Sequence, residues 1–254
     1  MLSIPDLCME SGIRFMKDSK STPGVVIFAY HKVGAMALRT MLCQGINIHL
    51  VVTHKDDPAE NVWFDSVSAI CNIGSIRYIY AEDYTNDEIC ELVDQFDVSV
   101  ICSFYFRSLL PAHLLGKARY GAVNMHGSLL PKYRGRAPVN WQIINGENSS
   151  GMTLHYMVDR PDAGDIIDQE VVEIGNEETP SSLFDKLEFA GKKILERSLL
   201  AVLDGTCSSV PQDHAEATYF GGRAAEDGRI DWRWHCEKIY NLIRLNKKYY
   251  DAKR

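Results

Sequence analysis

Between Gly24 and about Asn145, short apolar runs of strand-forming residues alternate with stretches whose apolar residues recur at helical spacing. No other feature of the chain constrains its fold as much. Val25–Ala29 is the first run, followed by a helical face through Ala35, Leu38, Met41 and Leu42. Ile48–Thr53 reads as a second strand, with a helical face over Val62–Ile73 after it. Tyr78–Tyr80 reads as a third, and Ile89, Leu92, Val93 and Phe96 then repeat at helical spacing. Val98–Ser103 and Ala122–Met125 complete the set. Such alternation predicts an α/β fold: a mainly parallel sheet with helices on both faces.

Beyond Asn145 the pattern changes. Met152–Val158 and Ile166–Ile174 read as two strands joined by the turn Asp159-Arg160-Pro161-Asp162-Ala163-Gly164. Thr179-Pro180-Ser181 signals a helix start, and Leu183, Leu187, Ala190, Ile194, Leu195 and Leu199 form its apolar stripe. From Gly205 the chain is polar and Gly-punctuated, with a last helical piece over Trp234–Leu245 and a basic tail expected to fray. At 254 residues the chain holds one large α/β domain with a small appendage. The expected division is a leader over 1–23, a body over 24–204 and an abbreviated C-terminal segment over 205–254. The leader mixes charges from Asp6 to Lys20 and lacks the apolar centre of a signal peptide; Met16 offers an alternative start. No apolar run reaches the roughly 18 residues of a membrane span. Together these favour the cytoplasm.

Seven cysteines are scattered with no C-x-x-C pair, which argues against a disulfide framework or a zinc site. Cys102 lies in an apolar run and reads as core before nucleophile. A net charge of −7 makes the chain a poor partner for nucleic acid, despite the local basic run Lys132–Arg136.

The densest chemistry lies in the segment from Ala122 to Trp141, which begins as a strand and becomes a Gly/Pro-rich loop. Carboxyl ends of strands are where open α/β sheets bind ligands. Asn124 and His126 are two apart and share one face of an extended backbone. An amide that donates to an oxyanion beside an imidazole that moves a proton suits acyl-type transfer. The plainer reading is a pair of polar caps in a loop. Asp162 is the candidate third member, since a carboxylate beside an imidazole favours its cationic form and fixes its ring. Its plainer reading is a solvated turn with Gly164 at positive φ. His126 is expected on a solvent-accessible strand end, outside the core.

Asn124-x-His126-x-Ser128-Leu129-Leu130-Pro131, then Arg134-Gly135-x-Ala137-Pro138, then Asp162-Ala163-Gly164-Asp165, resemble in order and spacing the formyltransferases that use 10-formyltetrahydrofolate. Phe28-Ala29-Tyr30-His31 and Ser103-Phe104-Tyr105-Phe106-Arg107 add to the resemblance. With the Asn124–Trp141 segment they are most similar to the domain that formylates UDP-4-amino-4-deoxy-arabinose in lipid A remodelling, and to its relatives acting on other nucleotide-linked amino sugars. The similarity runs over about Val25–Asp231. It implies a Rossmann-like formyltransferase domain within lipopolysaccharide-type biosynthesis, with Asn124, His126 and Asp162 catalytic, no metal, and 10-formyltetrahydrofolate as donor. It also implies donor-binding roles for Ser108, Leu109, Leu110, Arg136, Val158, Asp159, Arg160, Pro161 and Asp162. Flat pterins need apolar walls, although Leu109 and Leu110 read equally well as core.

On the acceptor side, Tyr30, His31 and Lys32 open the first helix, where backbone N–H groups favour phosphate; a solvated loop is the competing reading. Tyr133, Arg134, Asn140 and Trp141 are candidates for the sugar or nucleotide, with Trp141 equally suited to packing on the next helix. The expected acceptor is a UDP-, dTDP- or GDP-linked amino sugar, with no nucleic acid, no membrane insertion, and a homodimer as the candidate assembly. The family's C-terminal subdomain has no counterpart after Trp234, and the leader has none in the family. Rival readings are methionyl-tRNA formylation, formyl-folate hydrolysis, and a non-catalytic folate- or nucleotide-binding module.

Overall fold

The computed structural model describes residues 23–56 and 64–246. Expectations for the leader, for the tail beyond Asn246 and for the helical face at Val62 lie outside those residues. The elements in chain order are β1 (Gly24–Ala29), α1 (His31–Cys43), β2 (Ile48–Thr53), α2 (Val67–Gly74), β3 (Tyr78–Tyr80), α3 (Asn86–Val93) and β4 (Val98–Phe104). There follow α4 (Ala112–Leu115), β5 (Ala122–His126), β6 (Arg134–Gly135), α5 (Pro138–Ile144), β7 (Ser149–Tyr156) and β8 (Ile166–Glu173). The last elements among the described residues are α6 (Pro180–Leu203), β9 (Tyr219–Phe220) and α7 (Cys236–Leu245).

Seven strands form the main sheet in the order β3-β2-β1-β4-β5-β7-β8. The first five are parallel, β7 joins β5 antiparallel, and β8 pairs antiparallel with β7. Every residue of β1, β2 and β4 is buried, as expected of parallel strands covered on both faces. Alternate side chains enter two separate apolar clusters. Val25, Ile27 and Ala29 meet α1, α2 and α6 on one face, while Val26 and Phe28 meet α3 and α4 on the other. The strand order reverses between β1 and β4, so the crevice beyond their carboxyl ends is a topological switch point.

α6 starts where expected, because Thr179 and Ser182 satisfy each other's backbone N–H groups and Pro180 occupies the first turn. Its Gly191 passes over β5, and a Cβ there would lie 2.8 Å from the Met125 sulfur. That close crossing seats Met125 in the core and turns its neighbours Asn124 and His126 to the opposite face.

The segment after Asp204 is stitched into the body. Val210 and Ile166 exchange backbone hydrogen bonds, both at 2.8 Å, and β9 pairs in parallel with β6. Phe220 stacks on Tyr133 at 4.8 Å, and Trp141 leans on Phe220 while its indole N–H donates to the Gly221 carbonyl at 2.8 Å. α7 packs through Leu242 and Leu245 into the core, and Arg244 donates to the carbonyls of Gly175 and Asn176. The C-terminal segment expected over 205–254 thus packs against the body over its described residues. Cys71, Cys90, Cys102, Cys207 and Cys236 are free thiols, with Cys102 buried in the core.

Candidate active site

On the polar face of β5, antiparallel pairing sets His155 opposite Asn124 and Thr153 opposite His126. The turn after β7 then brings Asp162 against both imidazoles. Its Oδ1 is 3.5 Å from His126 Nδ1 and 3.7 Å from His155 Nε2. The three residues read from sequence as catalytic are thus brought together, and His155 joins them.

His126 is 7% exposed, so it sits in the interior of the cluster and not on the open strand end expected of it. The polar side chains packed around it bury it. Its Nε2 donates to the Tyr133 carbonyl at 2.7 Å. A carbonyl only accepts, so that nitrogen keeps its hydrogen and the exchangeable proton belongs to Nδ1, facing Asp162. His155 is 1% exposed, its Nδ1 donates to the Tyr156 carbonyl at 2.8 Å, and its Nε2 is 3.1 Å from Asn124 Nδ2. Burial pushes its pKa down to about 4; Asp162 opposes that shift, while His126 and Arg134 add to it.

Asp162 is held by two hydrogen bonds, one to its side chain and one to its backbone. Its Oδ2 accepts the Gly135 N–H at 2.8 Å, and its backbone carbonyl accepts from Gln212 Nε2 at 2.9 Å. Gln212 also donates to the Gly164 carbonyl at 2.6 Å and accepts from Arg134 Nε at 3.1 Å and Nη2 at 2.5 Å. Positive φ in this turn belongs to Asp162, at 55°, and not to Gly164. Aspartate tolerates that conformation better than most residues. Gly164 is required for a different reason: a Cβ there would stand 2.0 Å from the Tyr156 carbonyl oxygen.

The loop between β5 and α5 is pinned as firmly. Ser128 donates to the Lys132 carbonyl at 2.7 Å, Thr153 to the Ser128 carbonyl at 2.6 Å, and Gln169 to the Leu130 carbonyl at 2.9 Å. A polar site held this way spends little on reorganisation during reaction.

The remaining candidates fall into three groups. Ser108, Arg136, Asp159, Arg160 and Pro161 are exposed, as are Leu109 at 77% and Val158 at 47%. Leu109 is therefore not core, whereas Leu110 packs partly against the second cluster. Tyr133 and Arg134 lie behind the surface, and Trp141 is half-buried. Arg134 is 0% exposed, with Nη1 donating to Tyr219 at 2.6 Å and Nη2 to His214 Nδ1 at 3.0 Å besides its bonds to Gln212. Its expected place along the acceptor gives way to bracing the Asp162 turn. Tyr133 is buried with its hydroxyl on Glu147 at 2.5 Å, and burial, helped by that carboxylate, pushes its pKa up to about 12. Asn140 is half-buried at the start of α5.

Tyr30 is buried under the Arg107 guanidinium and edge-on to His54 and Phe64, so its ring is packing and not free surface. His31, with φ of 64°, is ringed by Phe64, Tyr105 and Phe184. Lys32 is paired with Asp185 and, at 3.0 Å, with Glu188. Burial works against its charge, but the two carboxylates outweigh it and hold its pKa above the ordinary lysine value. A concavity of about 270 Å³ beside it is lined by Lys32, Ala35, Arg39, Phe64, Asp65 and Glu188, and includes none of the catalytic candidates.

Sequence reasoning missed His155, Gln212 and the Gly135 amide. His155 carried one signal, a titratable residue in the apolar run Met152–Tyr156 at the same parity as Thr153. Gln212, some fifty positions from Asp162, carried none. Among the described residues no group of three or more His, Cys, Asp or Glu side chains is placed to hold a metal ion, and no helix is long and apolar enough to cross a membrane.

The arrangement offers an amide donor, an imidazole with one exchangeable proton and a carboxylate in contact with it, which are the parts acyl transfer needs. The N-formyltransferase from Helicobacter canadensis, solved with folinic acid and dTDP-3-aminofucose, shares the fold with a TM-score of 0.72 at 24% identity, over 90% of this chain and 82% of that one. The sugar 3N-formyl transferase WlaRD, solved in the presence of dTDP and 5-N-formyl-THF, gives 0.70 at 21% identity, over 87% and 78%. A 4-N formyltransferase from Francisella tularensis gives 0.66 at 18%, over 87% and 86%. The formyl transferase family model matches residues 25–199, taking in Asn124, His126, His155 and Asp162. The chain belongs to the formyl transferase family.

Proposed function

We propose that this enzyme transfers a formyl group from 10-formyltetrahydrofolate to the primary amine of a nucleotide-linked amino sugar. The observation that carries the reading is the meeting of Asn124, His126 and Asp162 within a chain of this family. The donor is supported by the exposed apolar side chains of Leu109 and Val158, which suit the faces of a flat pterin. The acceptor is supported by the dTDP and dTDP-3-aminofucose with which two structural relatives were solved, and by a net charge of −7 that disfavours tRNA. We place the reaction in the cytoplasm, supplying formylated sugar for lipopolysaccharide.

In the proposed reaction a neutral amine attacks the formyl carbon of the donor. The Asn124 amide N–H that His155 leaves free donates to the tetrahedral oxyanion, and the positive charge of the protonated His126 ring beside it adds to the stabilisation. The amine loses a proton, the departing folate nitrogen gains one through His126, and the C–N bond to folate breaks as the formamide forms. Asp162 stabilises the imidazolium while the proton is in transit. No covalent enzyme intermediate arises. Holding both substrates in register supplies at best about 7–11 kcal/mol of the barrier reduction.

The test is incubation of the purified chain with 10-formyltetrahydrofolate and a panel of UDP-, dTDP- and GDP-linked 3- and 4-amino sugars, with charged initiator methionyl-tRNA in parallel. Mass spectrometry of the products should show a sugar formamide and equimolar tetrahydrofolate. Formylated tRNA without a sugar product, or tetrahydrofolate without any formamide, would overturn the proposal.

A further inference from the structure

We propose that His155 is a positioning residue for the reaction: it fixes the Asn124 amide with its nitrogen inward and, by remaining uncharged, leaves the Asp162 carboxylate to His126. The inference rests on the reading of Asn124 as the oxyanion donor.

The hydrogen-bond geometry leaves His155 one arrangement. Its Nδ1 faces the Tyr156 carbonyl at 2.8 Å, so that nitrogen bears the hydrogen. In the neutral ring, Nε2 then offers only a lone pair, and the Asn124 group 3.1 Å away must be the NH2. One N–H is used on His155, and the other is held in a set direction for an incoming oxyanion. Without an acceptor at this position the amide has no reason to keep that orientation, because its two ends are nearly the same shape.

A second proton on His155 would undo the arrangement twice. Nε2 would become a donor, so Asn124 would turn its carbonyl inward. The new cation, 3.7 Å from Asp162 Oδ1, would also compete with His126, which is 3.5 Å from the same oxygen. The charged and titratable groups facing His155 are Asp162 from the turn after β7, His126 from β5 and Arg134 from β6. Asp162 favours the cation, while the other two oppose it, and burial is the largest influence and decides for the neutral ring. Pairing between β5 and β7 runs through the backbone, so it places no demand on an imidazole at this point.

The experiment compares His155→Leu, which removes the acceptor, with His155→Gln, whose amide oxygen can replace it, in the full chain with saturating substrates. The leucine variant should lose about 10–100-fold in kcat, with KM for donor and acceptor changed less than about twofold, and the glutamine variant should recover most of the loss. Nitrogen NMR of the histidine rings at neutral pH should show His155 uncharged with its hydrogen on Nδ1. Equal kcat in all three proteins, a loss confined to KM, or a ring with its hydrogen on Nε2 would overturn the proposal. Wild-type turnover in the same assay separates this test from that of formyl transfer itself. If wild type formylates nothing, or the leucine variant does not fold, the nitrogen spectrum decides.

Discussion

Gln212→Ala is the substitution that best exposes how the fold serves the site. The Gln212 amide lies between the Asp162 turn and the Arg134 guanidinium, donating to two carbonyls at 2.9 and 2.6 Å and accepting from two guanidinium nitrogens at 3.1 and 2.5 Å. Alanine strands both carbonyls and takes from Arg134 its bonds to the amide oxygen, in an interior where Gln212 is 6% exposed. A buried polar group left unpaired costs about 1–3 kcal/mol. The two carbonyls alone set a loss of about 2–6 kcal/mol, since the Arg134 guanidinium keeps Tyr219 and His214 as partners. That is a large part of the roughly 5–15 kcal/mol that holds a typical domain, and at this chain length it lowers the melting temperature by about 10 °C. The turn it releases carries Asp162, and a displacement of about 1 Å in a reacting group costs about 100-fold in rate. Urea unfolding should therefore report the stability loss, and turnover well below the new transition should fall by about 10–100-fold. A variant within about 1 kcal/mol of wild type and at full turnover would refute the idea that this amide anchors the site.

Three further outcomes follow from the same geometry. Gly135→Ala places a Cβ 2.2 Å from the Phe220 carbonyl oxygen at a φ of 97°, so β6 and β9 should part and turnover should collapse; unchanged melting and activity would contradict this. Leu109→Ala should leave stability within about 0.5 kcal/mol yet raise KM for the formyl donor with little change in kcat, whereas an unaffected donor KM would remove Leu109 from the donor site. The depressed His155 pKa means that the unfolded chain binds a proton the folded one refuses, so stability is full above about pH 6.5 and falls by up to about 3 kcal/mol as pH drops towards 4. Urea midpoints of wild type and His155→Gln should diverge across that window, and parallel curves would refute the cause.

Much of the fold is legible in the sequence for a simple reason. β1, β2 and β4 are buried on both faces, so each is a largely apolar run bounded by helical or turn-forming residues, and the observed ends of these strands and of β5 differ from the expected ones by a residue or so. α6 announces itself through Thr179-Pro180 and a long apolar stripe. The β6–β9 pair leaves no such mark, because two-residue strands have no period, and their partners are far apart in sequence. Asn124 and His126 are readable as a pair because strand geometry couples residues two apart. Asp162 is placed by long-range bonds to Gly135 and Gln212, and by a left-handed backbone that local pattern assigned to Gly164 instead. Arg134 illustrates the opposite error: a charged residue in a loop reads as surface until a tertiary network of Gln212, Tyr219 and His214 takes it inside.

The central claim is that Asn124 and His126 perform formyl transfer, and single-turnover kinetics of their alanine variants test it most directly. Each variant, first shown to be folded by its near-ultraviolet circular dichroism, is mixed at saturating 10-formyltetrahydrofolate and amino-sugar acceptor, and formamide is quantified against time. Loss of one oxyanion donor or proton-transfer group should slow formation by about 100-fold or more, with substrate affinities little changed. A folded His126→Ala or Asn124→Ala protein that forms product at near the wild-type rate would contradict the account.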